Sequence, residues 1–179
     1  MNIELLANQG QKAIFTNLAE RRYASLQNMK DKNMAACFTT ENPNRHRMKS
    51  IAKVQDVEFI DDAGSQSVNA TWYSLESMTG NVVWIAQSTQ NEDNYIELIP
   101  MVFSKVKAIV CIGNTSNNIS QTFAGLVDQI VWADDIEQAV TKAFSLAEPK
   151  ETVLFSPSSR CEKSIEENGN LFYHAVNEL

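Results

Sequence analysis

Two hydrophobic textures divide the chain. Over the first forty or so residues, Leu5, Leu6, Ile14, Phe15, Leu18, Tyr23, Leu26 and Met29 recur at mixed three- and four-residue spacings, the period of an amphipathic helix. Gly10 and the basic pair Arg21-Arg22 interrupt a single stripe, so this part accommodates two helices. The polar run TTENPNRHR, Thr39 to Arg47, contains Pro43 and reads as the turn that ends it. A helical N-terminal segment, residues 1–42, is therefore expected ahead of a second unit, residues 43–179.

Beyond that turn, short apolar runs alternate with amphipathic ones. SIAKVQDVEFI predicts a hairpin with Gln55-Asp56 at its turn, and ATWYSLESM a helix. NVVWIA, KAIVCIG, QIVWA and TVLFS predict strands. Between and after them, YIELIPMVFSKV, SNNISQTFAGLV, DDIEQAVTKAFSLA and NLFYHAVNEL predict helices, with Pro100 bending or ending the first and Gly125 terminating the second. Val- and Ile-rich strands each followed by a helix imply βαβ units. The expected fold is α/β: a Rossmann-like, mainly parallel sheet with helices on both faces, joined by right-handed crossovers.

Composition narrows the class. With 15 basic and 22 acidic residues the net charge is −7, which argues against nucleic acid or an anionic membrane surface as partner. No apolar run approaches the roughly 20 residues of a membrane span, and the N-terminus has no secretory pattern. Cys37, Cys111 and Cys161 are widely spaced and form no CxxC pair, so neither a zinc site nor a disulfide framework is indicated. A cytoplasmic compartment is expected.

In such sheets ligands collect beyond the carboxyl ends of the strands. Four polar loops should lie there: Asp61–Ser67, Gln87–Asn94, Gly113–Asn118 and Ser156–Cys161. SPSSRC is the best anion candidate, because Ser158 and Ser159 carry hydroxyls, Arg160 a fixed cation, and the next helix a dipole. Cys161 beside Arg160 is open to a lowered pKa, and Asp61-Asp62 to a divalent cation or to helix capping. Neither His46 nor His174 is an evident base for the thiol, and His174 fits a surface or packing role. No GxxxxGK[ST] occurs, so the chain carries no phosphate cradle of the P-loop kind.

From NRHRMKSIAKVQDVEFIDD through VNATWYSLESM, NVVWIA, VKAIVCIG and TVLFSPSS to EENGNLFYHAV, the order of motifs resembles the C-terminal domain of the Mur ligases, most of all the branch that adds D-glutamate. The likeness runs from about Arg45 to Leu179 and implies a Rossmann-like fold. It also implies an ATP-dependent amide ligase in which two further domains hold the UDP-sugar and, through a P-loop, the ATP and Mg. His46-Arg47 matches the His-Arg signature, so the resemblance gives Arg47, with Asp62, a nucleotide-binding role. The acidic residue that follows that signature is replaced by Lys49.

The family's Asn-Asp-Ser-Lys-Ala-Thr-Asn falls on Asp61 to Ser67, with Gly64 at its lysine and Gln66 at its threonine. A second lysine, which would pair with the bound D-glutamate, falls on Asn91. The Ser-Pro loop keeps Ser156 and Pro157, then loses its Phe-Asp portion. Two lost charge-assisted contacts, at roughly 1.5–3 kcal/mol each, would weaken amino-acid recognition by orders of magnitude.

The expectation is a stand-alone, degenerate ligase domain with no catalytic residue and no resident metal. It would bind a small ligand at the sheet edge, a protein partner or a second copy. Two alternatives stay open: completion by another chain that brings the P-loop with ATP and Mg, and an unrelated enzyme built on Cys161.

Overall fold

The alternating segments become six strands and five helices in the computed structural model, which describes residues 46–87, 94–113 and 118–179. The helices expected over residues 1–42, and Asn91, lie outside the described residues. Residues 44–179 gather into one compact unit.

Strands β1 (Lys49–Val54) and β2 (Val57–Asp61) form the expected hairpin, with Val54 opposite Val57. Gln55 and Asp56 both take positive φ, +48° and +69°, the two-residue turn whose twist suits the flanking strands. The other strands are β3 (Val82–Gln87), β4 (Val106–Ile112), β5 (Gln129–Ala133) and β6 (Thr152–Phe155). The sheet order is β1-β2-β6-β3-β4-β5, antiparallel only at the hairpin. Helices α1 (Val68–Ser77), α2 (Ile99–Lys105), α3 (Asn118–Phe123), α4 (Ile136–Leu146) and α5 (Ile165–Asn177) complete the unit.

Two boundaries differ from the expectation. Pro100 neither bends nor ends a helix; it stands in the first turn of α2, where its absent N–H is no loss, after a 3₁₀ turn over Tyr95–Leu98. Helix α5 starts at Ile165, well before NLFYHAVNEL, because Ser164 and Glu167 make a reciprocal capping box.

Strand alternation builds the core. Phe59, Val83, Ile85, Val110, Val153 and Phe155 point to one face, where Ala139, Val140, Ala143 and Phe172 of α4 and α5 cover them. Trp84, Ile109 and Leu154 are equally buried on the alternate positions. Trp84 meets Phe123 of α3 edge-on with centroids 5.9 Å apart. Strand β3 is thus apolar on both sides and reads as a continuous run rather than an alternating one.

The topology also places the site. Strand β6, last in the chain, inserts between β2 and β3, so the strand order reverses there. A crevice opens at such a switch point, beyond the carboxyl ends. The loops after β2 and β6 meet there, the Ser158 N–H donating to the Ser65 carbonyl.

Phe172 stacks on Phe155 at 5.1 Å and lies 6.5 Å from Phe59. Truncation by Phe172→Ala should cost about 3–5 kcal/mol in a urea titration, because α5 loses its only aromatic anchor to that cluster. A loss under about 1 kcal/mol would show that α5 is not packed this way.

Candidate functional site at the switch point

Residues His46 to Met48 approach the turn after β2 and lie down on it. His46 and Met48 take positive φ, +56° and +47°, which turns the segment back on itself. The His46 carbonyl accepts the Gly64 N–H at 2.9 Å, and the Met48 N–H donates to Asp62 Oδ1 at 3.2 Å. Glycine at 64 has a steric reason: a Cβ there would stand 2.6 Å from Arg47 Cδ and 3.1 Å from the His46 carbonyl oxygen. The Arg47 stem occupies the space above the turn.

Two side-chain pairs follow in parallel. His46 Nδ1 lies 2.5 Å from Asp61 Oδ2, and Arg47 Nε lies 3.5 Å from Asp62 Oδ1. Asp61 also accepts the Ala63 N–H through Oδ1 at 3.0 Å. Asp62 has no exposed surface, whereas the Arg47 side chain keeps 34% of its own. Burial pushes the Asp62 carboxyl above its ordinary value, opposed by the Arg47 charge and by hydroxyls of Ser65, Ser74 and Ser156.

Those hydroxyls close a ring. Arg47 Nη1 donates to Ser65 Oγ at 2.6 Å, Ser65 Oγ meets Ser74 Oγ at 3.1 Å, and Ser74 Oγ donates to Asp62 Oδ2 at 2.5 Å. Every oxygen of Asp61 and Asp62 is therefore engaged by the protein, and neither caps a helix. Ser67 caps α1, accepting the Ala70 N–H at 3.2 Å. Among the described residues no three His, Cys, Asp or Glu side chains gather to hold a metal.

The loop after β6 is bound into the sheet. Ser156 N–H donates to the Ile85 carbonyl, Gln87 N–H to that of Pro157, and Ser158 N–H to that of Ser65 at 2.9 Å. Trp84 Nε1 donates to the Ser156 carbonyl at 2.8 Å, and Ser156 Oγ meets Thr71 Oγ1 at 2.8 Å. The Ser158 hydroxyl donates to the Pro157 carbonyl and the Ser159 hydroxyl to that of Gln87. Ser156, Ser158 and Ser159 are thus buried and hydrogen-bonded within the protein, whereas SPSSRC was expected to turn the hydroxyls of Ser158 and Ser159 toward an anion. Nor does α5 offer an open positive end, since Ser164 and Glu167 fill it and Glu166 adds a further carboxylate. Arg160 alone of that loop is exposed.

Cys161 also departs from the expectation. Its Sγ donates to Gln87 Oε1 at 3.3 Å and lies 3.6 Å from the Ser159 carbonyl. Burial pushes the thiol up to about 11 rather than down, with Asn168 opposing only in part.

Gly169 is a contributor that residue spacing did not single out. It is buried in the interior of α5, where glycine is unfavourable, yet a Cβ there would overlap the His46 imidazole. In the sequence His46 stands only as half of a His-Arg signature, and spacing names no partner for it. The consecutive order His-Arg and Asp-Asp was the available signal.

With this geometry in place, comparison with known proteins decides the family. The model of the Mur ligase glutamate ligase domain matches residues 46–159. The chain belongs to the Mur ligase family. The UDP-N-acetylmuramoylalanine–D-glutamate ligase of Christiangramia forsetii is 31% identical over 97% of this chain and 40% of its own length. The Bacteroides thetaiotaomicron protein of the same name is 32% identical over 100% of this chain and 41% of its own length. The similarity therefore extends through the first forty residues as well, beyond the Arg45–Leu179 range expected. The chain spans about two fifths of the length of these relatives. Among solved structures, a murein peptide ligase from Psychrobacter arcticus matches with a TM-score of 0.53 at 11% identity, over 75% of this chain and 30% of its own, and so shares the fold. Among the described residues no helix is long and apolar enough to cross a membrane.

Two measurements test this site. Gly169→Ala, which in an ordinary helix interior would stabilise by roughly 0.5–1 kcal/mol, should here destabilise by about 1–3 kcal/mol. In a His46→Ala background the same change should turn stabilising; equal effects in both backgrounds would disprove the close approach. For Cys161, iodoacetamide should label the folded thiol at neutral pH at least about tenfold more slowly than a free cysteine, since a raised pKa removes thiolate faster than it adds nucleophilicity. Labelling as fast as free cysteine would restore Cys161 as a candidate nucleophile.

Proposed function

We propose that this chain is a degenerate, cytoplasmic homologue of the C-terminal domain of the D-glutamate-adding ligase, binding a small ligand or protein partner at the switch-point crevice without forming an amide bond on its own. The observation that carries this reading is the inward turn of the site's polar groups. Asp61, Asp62, Ser156, Ser158 and Ser159 all spend their hydrogen bonds on the protein itself. Gly64 stands where the resemblance expects a lysine, and the Arg47 stem fills its space. An anionic amino acid would meet few of the charge-assisted donors that make such recognition strong.

ATP and Mg enter this reading only with a second polypeptide segment that carries a P-loop. The fit to a nucleotide is partial: Asp62 has no surface to offer, so Arg47 would make the contact and Asp62 would hold Arg47 in place. Catalysis in that arrangement would come from the segment holding the phosphates. The alignment of the whole chain with about two fifths of each relative favours this second reading.

Incubation of the 179-residue protein with ATP, Mg, D-glutamate and the UDP-N-acetylmuramoyl-alanine acceptor should release phosphate no faster than buffer. D-glutamate should show no saturable binding by calorimetry at up to millimolar concentration. Turnover by the purified chain would end the first reading. Turnover only after addition of a P-loop protein, lost in Arg47→Gln, would establish the second.

A further inference from the structure

Among the described residues β1 and β5 are the edges of the sheet, and they are protected in different ways. Edge strand β1 carries a register irregularity between Ser50 and Ala52, and exposed Lys49 and Lys53, both common guards against pairing with another strand. Edge strand β5, QIVWA, has neither: its pairing with β4 is regular from Gln129 to Ala133, and it bears no charged residue. Ile130, Val131 and Trp132 are each partly exposed.

The backbone of β5 alternates in direction. The Ala133 carbonyl accepts the Gly113 N–H at 3.1 Å, so it faces β4. The Trp132 carbonyl must then face outward, as must both backbone groups of Ile130 and the Trp132 N–H. At that outward carbonyl stands Lys142 of α4: its Nζ donates to the Trp132 oxygen at 2.6 Å and lies 3.4 Å from Gln138 Oε1.

We propose that Lys142 is the guard of the β5 edge, and that the occupant it excludes is β5 of a second copy of this chain. Two β5 edges related by a two-fold axis run antiparallel and present matching outward N–H and C=O groups on Ile130 and Trp132. They also bring the partly exposed Ile130 and Trp132 side chains together. Pairing one five-residue edge buries little beside the roughly 1,200–2,000 Å² of a stable interface, so one ammonium on the outward Trp132 carbonyl decides the outcome. The ammonium blocks the acceptor and would set two like charges against each other across the axis.

Lys142→Met keeps the apolar stem and removes the charge. In sedimentation velocity over a concentration series, this variant should double its mass where the wild-type chain keeps its own, and Lys142→Gln should do the same. Lys142→Arg, which retains a charged donor, should behave as wild type. In Lys142→Met at high concentration the Ile130 and Trp132 amides should exchange with deuterium at least tenfold more slowly than at low concentration. The double variant Lys142→Met/Ile130→Pro, which removes an outward N–H, should return to the wild-type mass. Unchanged mass in both Lys142→Met and Lys142→Gln, with circular dichroism intact, would overturn the proposal. Association that persists in the double variant, or leaves those two amides unprotected, would overturn it equally.

Discussion

The arrangement at the switch point depends on one buried carboxylate. Asp62 has no contact with solvent, and an ionised group so placed is tolerated only when it is paired and its remaining lone pairs are filled. Arg47 supplies the charge, the Met48 N–H and Ser74 hydroxyl supply donors, and Ser65 fixes the far end of the guanidinium. From that demand follow the small residues of the turn. Gly64 leaves room for the arginine stem, and Ser65 and Ser74 are small enough to close the ring. The fold thus converts a solvation requirement into a fixed path for residues 46–48.

The second pair ties that path to the far side of the unit. His46 binds Asp61 and rests on Gly169, so α5 touches the segment through a glycine rather than a side chain. The same helix is anchored to the sheet by Phe172 against Phe155. Position along α5 and position of Arg47 are therefore linked through one imidazole. The cost of a glycine in the middle of a helix, up to about 1 kcal/mol, is offset by the close approach it allows.

Most of the frame was legible in the sequence because hydrophobic periodicity and turn chemistry are local. The hairpin at Gln55-Asp56, the run NVVWIA and the acidic start of DDIEQAV each declare their element within a few residues. The beginning of α5 was legible too, in the S-x-x-E of Ser164 and Glu167, although the dense apolar stretch begins only at Leu171. What could not be read was direction. Ser156, Ser158 and Ser159 look like open donors in a string of letters, and only the folded loop after β6 turns Ser158 and Ser159 onto backbone carbonyls and Ser156 onto the Thr71 hydroxyl. Cys161 beside Arg160 looks activated, yet adjacency in the chain says nothing of burial, and burial dominates its thiol.

This distinction bears on what survival of a motif means. His46-Arg47 and Asp62 match the family signature, and such a match invites a nucleotide-binding reading. In this chain the same residues have sufficient structural reason to be present, because removing Arg47 would strand a buried charge at a cost of about 3–5 kcal/mol. A lysine at the position of Gly64 carries no comparable debt to the fold, and its Cβ would crowd the Arg47 stem. Loss of ligand selection would then erase that lysine first and leave the arginine–aspartate pair standing. The retained pair is by itself no sign that ATP is bound.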